Sequence, residues 1–148
     1  MQAIGKLALL GVLGGLGAGC SEDSTGTELP NIVGTWHATS AVVTNVASPT
    51  TTVNLITLGA TIQVVFNANL TYSSTVNIPG EAAEVSTGTY VVTATQLTLH
   101  DDQPSGGDTV VFSLALGGGT LTLTGGSPFT FDFGAGEVAA TLALTLVH

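Results

Sequence analysis

The sequence predicts an all-β fold, an antiparallel up-and-down barrel of about eight to ten strands, with a β-sandwich as the alternative. Three observations predict it. Apolar residues recur at every second position through most of the chain, which buries one face of a strand and leaves the other wet. The gaps between these runs are short and rich in Gly, Asn, Pro and Ser, the residues that turn a chain back on itself. No run keeps a helical period over a useful length, so the crossover helices of a parallel sheet are not foreseen.

The first run, IVGTWHATSAVV at 32–43, sets Trp36 and His37 on opposite faces. TTVNLITL (51–58) and TIQVVFN (61–67) follow. The turn NAN at 67–69 leads into LTYSSTVNI (70–78), in which Leu70, Tyr72, Ser74, Val76 and Ile78 share a face. PGEAAE at 79–84 reads as the next turn. STGTYVVTA (86–94) and QLTLH (96–100) precede DTVVFSLAL (108–116), which places Val110, Phe112, Leu114 and Leu116 on one side. GGG at 117–119 turns the chain into TLTLT (120–124), and GGSP at 125–128 leads to PFTFDF (128–133) with Phe129, Phe131 and Phe133 aligned. GAG at 134–136 then introduces EVAATLALTLV (137–147), where Val138, Ala140, Leu142, Leu144 and Leu146 share a face. Some of these runs can merge into longer bent strands.

Ahead of the strands, Lys6 and the uncharged stretch LALLGVLGGLGAG supply the cationic, apolar and small-residue parts of a secretory leader. The stretch is shorter than the roughly 20 apolar residues of a helical membrane span. Ala18, Gly19 and Cys20 resemble the lipobox of bacterial lipoproteins, although Gly17 stands where leucine is usual and Leu16 comes one place too early. The resemblance implies a leader at 1–19, acyl chains on the sulfur and the amine of Cys20, and a membrane held through those chains. It further implies a bacterial envelope location, with the residue after the cysteine, Ser21, suiting the outer membrane. The single thiol is then neither a redox centre nor a metal ligand. Residues 20–31 read as the lipidated cysteine and a flexible tether, since they combine Ser, Thr, Gly and acids with Pro30. Residues 32–148 read as one domain.

One Lys+Arg stands against ten Asp+Glu, a net charge of −9, and the one cation is Lys6 in the leader. Nucleic-acid binding is excluded, because it needs Lys and Arg to neutralise phosphates. Electrostatic docking to anionic lipid and salt bridges to Lys or Arg fall with it. At 7 % charged and 44 % hydrophobic residues, the chain reads as a packed domain rather than a disordered acidic segment.

Gly34-Thr35-Trp36 at the head of the first strand resembles the G-x-W signature of lipocalin-like barrels. VVFNANLTYSS is similar to their third and fourth strands around a tight turn, and STGTYVVTATQLTL to a later G-x-Y strand with its hairpin partner. The resemblance spans about residues 31–148. It implies a barrel with Gly34 and Trp36 as its closing motif, and an interior able to hold a small apolar ligand. Two departures stand out. No arginine exists to pack over the tryptophan, so the base is expected to be closed by apolar side chains, and there is no T-D-Y motif.

Catalytic candidates are few. His37 is expected on the surface, and His148 as a frayed end. The loop LHDDQPSGGD (99–108) gathers His100, Asp101, Asp102 and Asp108, whose oxygens are the weak candidates for a calcium-sized cation, without the ligand spacing of an EF-hand. No metal site is assigned there. Asp132 and Glu137 flank the last turn and are expected to face solvent. The sequon Asn69-Leu70-Thr71 carries no weight in a bacterial lipoprotein. No catalytic residue and no cofactor are assigned, which leaves two readings: a lipid-tethered barrel binding a small hydrophobic molecule, or a solid barrel acting through its Thr-rich exterior. Small inward residues such as Ser74 and Ala140 favour the first.

Overall fold

The alternating runs all become strands. A computed structural model describes residues 28–102, 107–127 and 129–148. The expected leader, Cys20, most of the tether, and residues 103–106 of the acidic loop lie outside the described residues. The strands are β1 (Gly34–Asn45), β2 (Thr52–Asn54), β3 (Thr61–Phe66), β4 (Thr71–Asn77), β5 (Glu84–Val92), β6 (Gln96–Asp101), β7 (Thr109–Gly117), β8 (Thr120–Ser127), β9 (Thr130–Asp132) and β10 (Glu137–Val147). Every pairing is antiparallel, and β1 pairs with β10 to close the sheet. The result is an eight-stave barrel rather than a sandwich, because two staves are broken. β2 and β3 pair with successive parts of β1, and β8 and β9 with successive parts of β10.

Each break has a local cause. Between β2 and β3 the run expected as one strand, TTVNLITL, gives way to a single 3-10 turn at Ile56–Leu58, ended by Gly59 at φ 90°. The Asn54 side chain directs the exit by accepting the Ile56 N–H at 3.1 Å and the Ala41 N–H at 3.2 Å. Between β8 and β9 the cause is Gly126, at φ 64°, where the β7–β8 register slips. A Cβ on Gly126 would lie 2.7 Å from the Phe112 ring, so only glycine lets that ring into the barrel.

A second bulge retunes β1. Its pairing with β10 skips Thr39, so the inward phase moves from Trp36 and Ala38 to Ala41 and Val43. Two sequence expectations need correction. Leu70 does not share the inner face of β4: it is 54 % exposed in the β3–β4 turn at φ 64°, where its N–H donates to the Asn67 carbonyl at 3.1 Å. The turn expected at 79–84 ends sooner, since Glu84 already pairs with Val76.

One end of the barrel is packed shut. Trp36, Phe66, Tyr90, Leu97, Leu121 and Leu146 are all buried there. The Trp36 Nε1–H donates to the Ile32 carbonyl at 2.8 Å, the Tyr90 hydroxyl donates to the Asn67 carbonyl at 2.9 Å, and the Phe66 and Tyr90 rings meet edge-on at 5.1 Å. Large rings with their polar atoms satisfied make a plug that water cannot enter. Trp36→Ala is expected to cost about 3–5 kcal/mol in urea unfolding. A loss below about 1 kcal/mol would contradict the plug.

Candidate functional site

The interior is not filled evenly, and the reason lies on one wall. The inward cross-strand pairs of β4 and β5 are Tyr72 with Gly88, Ser74 with Ser86, and Val76 with Glu84. The smallest of these pairs, Ser74 with Ser86, stands in the middle of the wall. The facing wall carries leucines, Leu123 opposite Leu144 on β8 and β10 and Leu142 above them. Leucines do not reach across to fill what the two serines leave empty. A cavity of about 140 Å³ remains, lined by Ile62, Val76, Phe112, Leu123 and Leu142, with Ser74 as its polar contact. It is comparable with an engineered apolar cavity of about 150 Å³ that stays dry and takes up benzene or xenon.

Two wider chambers lead from this cavity to the open end, and Leu142 borders all three. One, of about 310 Å³, runs between Tyr72, Ser86 and Phe129 and is edged by Glu84, Asp101 and Asp108. The other, of about 480 Å³, lies under the β9–β10 hairpin, with Leu58, Phe129 and Phe131 beside Glu81, Glu84 and Glu137. Phe131 and Phe133 meet edge-on at 4.9 Å beside the hairpin turn. The mouth therefore combines aromatic faces with carboxylates around an apolar shaft.

At the opposite end, Gly34 opens β1 at φ 141° and Trp36 is buried two residues on. The lipocalin-like domain family model matches residues 32–123, from just before this motif into β8. The chain belongs to the lipocalin-like domain family. A search of curated proteins finds none that matches the chain. In this lipocalin-like barrel the match stops inside β8, and β10 beyond it supplies the closing stave.

The lipocalin-like barrel uses its tryptophan in a way the sequence did not suggest. His148 was expected to fray, and apolar side chains alone to close the base. Instead the His148 imidazole packs edge-on against Trp36, ring centres 5.1 Å apart, over Gly34. A Cβ on Gly34 would run into that ring, so the glycine of the motif makes room for the histidine. The signal was the lack of arginine, which leaves the outer face of Trp36 to some other side chain.

The remaining candidates separate. His37 is exposed on the outside of β1, as its alternation with Trp36 requires. His100 also points outward, its Nδ1 lying 3.0 Å from the Thr109 hydroxyl, while Asp101 and Asp108 border the smaller chamber. Among the described residues no three of His, Cys, Asp and Glu gather as a metal site. Asp132 and Glu137 sit directly opposite each other in the β9–β10 hairpin. The Gly134 and Gly136 N–H groups donate to the Asp132 carboxylate at 2.7 and 2.9 Å and hold its pKa below the usual range.

Tyr72 shows what the site does to a charge. Burial pushes its phenol up from 10.0 to about 12, and the negative charges of Asp101 and Asp102 add to the shift. A raised pKa means that the folded state holds the proton more tightly, so this stabilising contribution is complete below pH 10 and is lost as pH rises through about 12. Phenolate absorbance is expected to show a transition near pH 12 that Tyr72→Phe removes. A Tyr72 transition at the ordinary value would contradict the inward, acid-facing placement.

Proposed function

We propose that this chain is a lipid-anchored bacterial envelope protein whose lipocalin-like barrel binds a small apolar molecule. The observation that carries the binding half is the apolar cavity beneath Leu142, bordered by the two chambers of the mouth and by Phe66 of the plug. Burial of hydrocarbon there is favourable by about 25 cal/mol per Å² removed from water. Family membership supports the same reading, since a barrel of about eight strands is just wide enough to hold one small ligand. The anchoring half rests on Cys20 behind the apolar leader, with acyl chains fixing the tether to the outer membrane. No cofactor enters this reading.

The test uses the Cys20→Ser form, expressed in the natural host and expected to move from the membrane to the soluble fraction. Native mass spectrometry followed by solvent extraction is expected to find an extra mass that extracts as a small apolar compound. Retention of the variant in the membrane would overturn the lipid anchor. A bare polypeptide mass that persists after incubation with lipid extract would overturn the carrier reading in favour of a barrel acting through its outer surface.

A further inference from the structure

Charge is distributed over this barrel in one direction only. Every Asp and Glu among the described residues except Glu28 lies at the open end, in the β4–β5, β6–β7 and β9–β10 connections or at the strand ends beside them. The turns at the plugged end, 67–70, 93–95 and 118–119, carry no charged residue. Solubility alone would be served by acids anywhere on the surface, so it does not account for their placement. Glu81, Glu84, Asp101, Asp108, Asp132 and Glu137 border the two chambers that lead to the cavity. The only Lys or Arg of the chain, Lys6, precedes the barrel domain. Asp132 and Glu137 stand opposite each other across one hairpin at this rim and place two carboxylates side by side there.

We infer that the occupant is a cationic amphiphile, an amine or quaternary ammonium compound, with its hydrocarbon part in the cavity and its charged group at the mouth. This inference rests on the binding reading above and narrows it to one ligand class. The mouth suits such a group in two ways. Carboxylates edging a low-dielectric opening focus a negative potential into it and concentrate cations there. Phe129 borders both chambers and Phe131 the larger one, so aromatic faces stand next to the acids, as in sites that hold ammonium groups by cation–π attraction. Asp101 and Asp108 line the smaller chamber together with Tyr72, so carboxylates stand beside the shaft as well as at its rim. A fatty acid or other anionic lipid would bring its carboxylate against this same field and is disfavoured. The cavity of about 140 Å³ sets the size of the deepest group at one ring or a short alkyl segment.

Three probes of equal chain length and different charge test this: octyltrimethylammonium, octanol and octyl sulfate, titrated calorimetrically into the Cys20→Ser protein below their micelle concentrations. The ammonium compound is expected to bind about tenfold more tightly than octanol, and the sulfate more weakly than either. The preference is expected to shrink in high salt and in Glu84→Gln and Glu137→Gln. Equal affinities for all three, or tightest binding of the sulfate, would overturn the cationic assignment while leaving an apolar carrier. Binding of none of the three would overturn the carrier reading and the cationic assignment together.

Discussion

The pairing of β1 with β10 is the constraint on which the rest of the molecule depends. It joins the two ends of the meander, leaves an unpaired side only on the short β2 and β9 among the described strands, and fixes the number of staves at eight, which fixes how much interior the inward side chains must fill. At one end they succeed, because Trp36, Phe66 and Tyr90 bring rings into the axis and the polar atoms of Trp36 and Tyr90 find backbone carbonyls. At the other end they fail, because β4 and β5 offer only Ser74 and Ser86 at one level of the same circumference. A barrel cannot contract to absorb that deficit without losing its hydrogen-bond ladder. The hollow is therefore a product of closure and of small side chains on one wall.

Function follows from the same asymmetry. In an up-and-down meander alternate turns lie at the same end, and among the described residues of the barrel the acids lie in or beside turns at the hollow end. Apolar depth and a negative rim thus share one axis. The hairpin of β9 and β10 adds Phe131 and Phe133 at the rim, where they shield hydrocarbon from water while leaving carboxylates beside the opening. The β8–β9 break brings this hairpin about, and it depends on Gly126 giving way to Phe112.

Much of this was legible in the sequence. Period-two alternation located all ten strands, Gly34-Thr35-Trp36 pointed to the family, and the opposite faces of Trp36 and His37 were read correctly. What escaped reading depends on partners distant in the chain. The bulge at Thr39 exists only in register with β10, and it reverses which residues of β1 face inward. His148 meets Trp36 only after closure, so a terminal residue that looks idle in sequence becomes part of the base. Ser74 was noticed as small and inward, but the pairing with Ser86 that turns it into a wall is a matter of register. Around the loop at 99–108, strand alternation separates neighbours in sequence, sending His100 outward and Asp101 to the chamber.

The central claim is that the barrel encloses a real apolar void beneath Leu142 rather than a solid core. Xenon reports such voids directly, because it binds by dispersion alone and needs no polar partner. In a crystal of the barrel domain held under xenon pressure, the account predicts an ordered xenon atom among Ile62, Val76, Leu123 and Leu142. The same pressure leaving that space without xenon, with Leu142 and Leu144 repacked toward Ser74, would contradict it.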